Sequence, residues 1–238
     1  MVRWIAVGAV LAGACGFQAV EIHVDSGIGS EPVGPGSSDD VVHVGAADEY
    51  LGTGDLTIDA ALAIDTGVMS LGMALPSGTT FAAASQDGGG PELAILHVRA
   101  LAIHADVRVL GPRPLVLLAD SFELTHTIDA SAHDKMSAQA RSASSCQLGP
   151  PGGGGGALEI YARTRISISG YINAGDAIRR GAICPGIAAP FGSGDTIVLQ
   201  SPVVDNSGRL TADGEIVVFY RTKVSAGATD PAASLQQY

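Results

Sequence analysis

The chain of 238 residues is long enough for one single-core domain, and 46% apolar against 16% charged residues sets it apart from disordered chains. Its 32 glycines follow no G-X-Y period, which excludes collagen. The net charge of −11, the 5% aromatic content and the lack of a basic stripe argue against nucleic-acid binding, and the acidity reads as solubility rather than a partner code.

Residues 1–15 have the form of an export signal. Arg3 supplies the positive region, Trp4 to Leu11 the apolar region, and Ala12, Gly13 and Ala14 the small residues before a cut. The apolar run is shorter than the roughly 20 residues a membrane-spanning helix needs. Leu11–Cys15 resembles a bacterial lipobox, in which Cys15 becomes the lipid-modified N-terminus. The family prefers leucine three residues before the cysteine, where this chain has Ala12. Residues 16–54 read as a linker with two short strand-like runs, Val20–Val24 and Val41–Val44, around a Gly-, Pro- and Ser-rich stretch.

From Asp55 the pattern changes. Leu56, Ile58, Leu62 and Ile64 alternate as a half-buried strand pair does. Gly67–Ser85 is less regular, with Leu71, Leu75 and Phe81 as candidate core residues. A repeat then becomes visible. Leu101, Ile103 and Val107 match Phe122, Leu124 and Ile128, then Ile166, Ile168 and Ile172, and more loosely Val204, Asn206 and Leu210. Each of the first three sets holds two apolar residues two apart, a short polar break and another apolar residue, and in the fourth Asn206 stands in the second place. The intervals from Val107 to Ile128, Ile172 and Leu210 are 21, 44 and 38 residues. The first is one bare turn, and the others carry insertions at 133–156 and 176–194. Units this small cannot bury their own apolar faces, so the expected fold is all-β, a right-handed parallel β-helix of a few rungs. An antiparallel β-sandwich is the alternative. The domain is expected over 55–225, with Glu215–Val224 closing the stack and 226–238 a flexible tail.

The segments Arg113–Ala119 and Thr127–His133, a glycine-rich loop with a cysteine, then Gly152–Ala162 and Ile166–Asp176 resemble a group of secreted glycine-rich proteins predicted from myxobacterial and related genomes. The resemblance covers roughly Gly89–Gly214. It implies export, a lipoprotein-type signal and a β-helix-like fold, and brings no catalytic residues with it.

The registry places Arg108, Asp129, Asn173 and Thr211 in one outward column, with side chains about 4.8 Å apart. This is either an exposed acid on a sugar-binding face or a ladder of turn-capping side chains. Glu123, Ser167 and Asp205 form a second column, in which no two carboxylates are adjacent as a glycosidase requires. The six histidines show no metal-site spacing, and His133–Asp134 reads as a solvated pair. Asp205–Gly208 lacks a full calcium loop and reads as a turn. Gly152–Gly156 is no phosphate loop, since no Lys-Ser/Thr follows. No Ser-His-Asp or Cys-His set can be assembled from the sequence. With Cys15 set aside, Cys146 and Cys184 remain as a candidate disulfide, one in each insertion.

The expected function is that of an exported, surface-anchored structural, adhesive or ligand-presenting protein without cofactor. Its partners would be a cell-surface polysaccharide or another envelope protein, and its membrane contact the lipid alone. The rival is a carbohydrate-binding or polysaccharide-degrading protein on the same scaffold.

Overall fold

The computed structural model describes residues 40–41, 45–46, 51–85, 92–131, 157–175, 196–212 and 214–238. Among them the regular structure is all strand. The strands are β1 (Asp40–Val41), β2 (Gly45–Ala46), β3 (Leu56–Ile58), β4 (Leu62–Asp65), β5 (Thr80–Ala84), β6 (Leu93–His97), β7 (Ala100–Ile103), β8 (Val107–Leu110), β9 (Leu115–Leu124) and β10 (Thr127–Asp129). They continue as β11 (Leu158–Ile168), β12 (Tyr171–Ala174), β13 (Ile197–Gln200), β14 (Val203–Asn206), β15 (Arg209–Ala212), β16 (Ile216–Tyr220), β17 (Lys223–Ser225), β18 (Ala228–Asp230) and β19 (Ser234–Gln237).

Two sheets carry the domain, and the pairing in them is parallel except where β5 joins β6. The antiparallel sandwich is therefore not the arrangement found. The strands fall into three ladders. The first runs β5-β6-β9-β11-β13-β16-β19, and the second runs β3-β7-β9-β11-β14-β17 through the C-terminal halves of β9 and β11. The third, a separate sheet, runs β4-β8-β10-β12-β15-β18. From β6 to β18 the chain visits first, second and third ladder in that order, then starts again one strand further on.

The repeat read from the sequence is the register found. Leu101, Phe122, Ile166 and Val204 are successive Cα partners, as are Ile103, Leu124, Ile168 and Asn206. Val107, Ile128, Ile172 and Leu210 form the same series in the third ladder. All twelve are buried, and eleven of them belong to one hydrophobic core. The exception, Asn206, turns its amide to the backbone: its Oδ1 accepts from Gly208 N at 2.9 Å, and its Nδ2 donates to Ala226 O. Asp205–Gly208 thus forms a turn.

The polar breaks are corners. Thr125, Ser169 and Ser207 each donate their backbone N–H to the carbonyl of Ile103, Leu124 and Ile168, one coil back, at 3.0, 2.8 and 2.8 Å. Their hydroxyls lie 3.4 Å from those same carbonyls. At this corner the coils pass so closely that a Cβ on Gly170 would lie 1.9 Å from His126 O. Only glycine fits there.

In the second and third ladders buried side chains alternate with more exposed ones, except over Leu210–Ala212, which are all buried. In the first they do not. Leu115–Ala119, Leu158–Ala162 and Ile197–Gln200 are buried on both sides. The outer side carries apolar residues of its own, with Leu93, Ile95, Val116, Leu118 and Tyr161 in one cluster and Val198, Val217 and Phe219 in another. A parallel strand covered on both faces reads as a continuous apolar run, which is what LVLLA is.

The N-terminal end is finished by residues 67–85. Leu71 is buried and Phe81 packs against the core, whereas Leu75, expected inside, is 39% exposed. β5 folds back antiparallel on β6, and Asp65 and Ser70 exchange backbone hydrogen bonds beside β4. At the other end the sequence expectation is corrected. Glu215–Val224 ends the second ladder alone, through β17, and residues 226–238 are not a free tail. β18 pairs with β15 and β19 with β16, while Val224 and Ala233 pack on the core. A parallel edge supplies backbone partners to a polar segment as readily as to an apolar one, so composition alone misplaced this coil.

Candidate binding face

The outward side chains of the third ladder form two columns. One holds Ala63, Arg108, Asp129, Asn173, Thr211 and Asp230, in register from β4 to β18. The other holds Thr127, Tyr171 and Arg209, with the Arg209 guanidinium 5.8 Å from the centroid of the Tyr171 ring. Period-two alternation forces these residues outward, because Val107, Ile128, Ile172 and Leu210 take the inside.

The structure brings Arg108, Asp129 and Asn173 together as the sequence predicted, but they do not form one continuous chain of bonds. Asp129 Oδ1 accepts from Ser131 Oγ at 2.6 Å, from Ser131 N at 3.2 Å and from Asn173 Nδ2 at 3.2 Å. Asn173 Oδ1 in turn accepts from Gly175 N at 3.3 Å. Both side chains hold the chain where it leaves β10 and β12. Arg108 is exposed and has no ion pair among the described residues. The Arg–Asp half of the expected ladder is thus absent, because the carboxylate is turned to its own loop and to the next coil.

Around Arg108 lies a shallow groove of about 470 Å³, lined by Ala61, Ala63, Asp106, Thr127 and Asp129 beside Leu62 and Val107. Asp106 Oδ1 accepts from Thr127 N at 3.2 Å, tying the two coils across the groove floor. Asp106 and Thr127 carry no sequence signal as site residues. Only the placement of Val107 and Ile128 as inward partners could have pointed to them.

The second ladder presents Glu123, Ser167 and Asp205 in one column, again as read from the sequence. Asp205 is bridged by Arg165 at 2.9 Å and Lys223 at 3.4 Å, while Glu123 lies 4.0 Å from His104, whose other ring nitrogen is 3.1 Å from Asp59. At the corner between the first and second ladders Asp55, Arg99, Asp120 and Arg163 follow one another with alternating charge. Arg99 Nε donates to Asp55 Oδ1 at 2.7 Å and Arg163 meets Asp120 at 2.6 Å. The hydrogen bond from Arg99 holds the Asp55 carboxyl below its ordinary range, and the same contact raises Arg99. A bulge in β11, where two residues stand against one in β9, brings Arg163 to that place.

Cys15, Cys146, Cys184 and His133–Asp134 lie outside the described residues. Among the described residues no group of three His, Cys, Asp or Glu side chains could hold a metal ion, and no helix is long and apolar enough to cross a membrane. No family model, curated protein or solved structure matches this chain.

Proposed function

We propose that the three ladders are the faces of a right-handed parallel β-helix, and that the protein is an exported, surface-anchored element that presents ligand-binding side chains without turning a substrate over. Right-handedness is what parallel connections adopt in nearly all proteins. The observation that carries the functional reading is the state of the outward carboxylates. Asp129 is engaged by Ser131 and Asn173, and Asp205 by Arg165 and Lys223, so both serve to fix flat, polar outer columns. A catalytic acid pair needs carboxyl groups free to exchange protons. Anchoring would come from lipid on Cys15, in keeping with the lipobox-like Leu11–Cys15 and the resemblance to secreted glycine-rich lipoproteins.

The full chain made in a Gram-negative host should label with palmitate and pellet with membranes, and Cys15→Ser should do neither. Purified full chain should be retained on immobilised envelope polysaccharide without releasing new reducing ends or unsaturated sugars. Release of either product would replace this reading with the polysaccharide-degrading one. Failure to be retained on any envelope polysaccharide would remove the adhesive role.

A further inference from the structure

Eight arginine and lysine side chains fall among the described residues. Five of them pair with carboxylates and two lie over tyrosine rings. Arg108 is the one cation among them without such a partner, and it stands in the groove of the third ladder. Its neighbours keep it that way. In the coil before it, the residue in register is Ala63, whose methyl leaves the space above the guanidinium open. In the coil after it, Asp129 spends Oδ1 on Ser131 and Asn173.

From this we infer that the groove binds an acidic sugar, a ring bearing one carboxylate and neighbouring hydroxyls, with Arg108 as the anion-binding side chain. The inference rests on the ligand-presenting reading above and names the ligand class of that face. A guanidinium binds a carboxylate through two parallel N–H donors, which a lone ammonium does not reproduce. Asp106 and Thr127 stand beside it with acceptors for hydroxyl groups, and Ala61, Leu62 and Ala63 offer a small apolar floor for a ring face. The volume lies within the range of small-molecule sites. The two flanking aspartates select for charge as well. A phosphate, a sulfate cluster or a nucleic-acid backbone would set several negative charges against them, whereas one carboxylate meets the one available cation.

Calorimetric titration of the full chain with oligosaccharides of glucuronate, galacturonate and mannuronate, and with their carboxyl-reduced counterparts, tests this. At least one acidic oligosaccharide should bind, its reduced counterpart should not, and affinity should fall as salt rises. Arg108→Gln should weaken binding about ten- to a hundred-fold, Arg108→Lys should weaken it less, and Arg165→Gln on the second ladder should leave it unchanged. Equal binding of acidic and reduced sugars, an unchanged Arg108→Gln, or no binding of any uronate overturns the inference. Retention on envelope polysaccharide that survives carboxyl reduction would overturn this inference alone and leave the broader adhesive role standing.

Discussion

Ile128 and Ile172 are Cα partners in the parallel pairing of β10 with β12, and both are closed off from solvent. Forty-four residues separate them along the chain, yet they occupy the same place in consecutive coils. Truncating either to alanine removes core contacts and leaves a cavity, so a loss of about 2–5 kcal/mol in urea unfolding is expected. Aspartate at either place buries an unpaired charge, and that change should prevent folding. Thr125→Asp, at an exposed corner, should cost no more than about 1 kcal/mol. Equal tolerance at the three positions would contradict the register.

The corner glycines make a sharper test of how closely the coils approach. Gly170→Ala puts a methyl 1.9 Å from the His126 carbonyl and Gly208→Ala one 2.0 Å from the Gly170 carbonyl. Backbone must move in each case, at a cost of roughly 1–3 kcal/mol. Thermal unfolding should register both, and silence at both would mean that the coils are further apart than described here.

The pairing of Asp55 with Arg99 predicts an acid-side effect. Because the Asp55 carboxyl is held below its usual value of 3.8, its contribution to stability is complete above that pH and is lost as pH falls through the lower folded value. The pair is solvent-exposed, so the effect should be small and should shrink further in high salt. Asp55→Asn should flatten the dependence of the urea midpoint on pH below about 4. An unchanged acid limb in that variant would remove this pair from the account of acid stability.

Cys146 and Cys184 lie in insertions whose ends are fixed by the fold. One insertion leaves after Ser131 and returns at Ala157, and the other leaves after Gly175 and returns at Thr196. These ends belong to consecutive coils: Ala130 N donates to Asn173 O at 2.7 Å and Leu158 N to Thr196 O at 2.9 Å. We therefore expect a disulfide between the two cysteines under oxidising conditions, contributing about 3–4 kcal/mol on chain entropy. Peptide mapping of unreduced protein should recover the bridged pair, and alkylation of both thiols without reductant would reject it.

The second and third ladders were legible in the sequence because each has one wet side, so Phe122, Leu124 and Ile128 repeat in step with Ile166, Ile168 and Ile172. The first ladder was not. Its strands are apolar on both sides, and Leu115–Ala119 carries no alternation from which to read a register. The last coil was missed because Ala228–Asp230 and Ser234–Gln237 are polar and owe their place to backbone pairing with β15 and β16. For the candidate site, register alone placed Arg108, Asp129 and Asn173 in line. It could not foresee that Ser131 would claim the Asp129 carboxylate, since that contact depends on how the chain turns after β10. Nor could it find the Asp55–Arg99–Asp120–Arg163 corner, which depends on a bulge in β11.

Everything proposed for the outer faces depends on the parallel register, and cross-linking between coils reads that register out. Glu123 and Ser167 are Cα partners on the outer side of the second ladder, and Arg165 lies two residues off that register. With the three native cysteines replaced by serine, Glu123→Cys paired with Ser167→Cys should oxidise to a disulfide in the folded protein, because parallel neighbours about 4.8 Å apart fall within bridging distance. Glu123→Cys paired with Arg165→Cys should remain two free thiols. Efficient bridging of the second pair, or none of the first, would contradict the stack of coils described here.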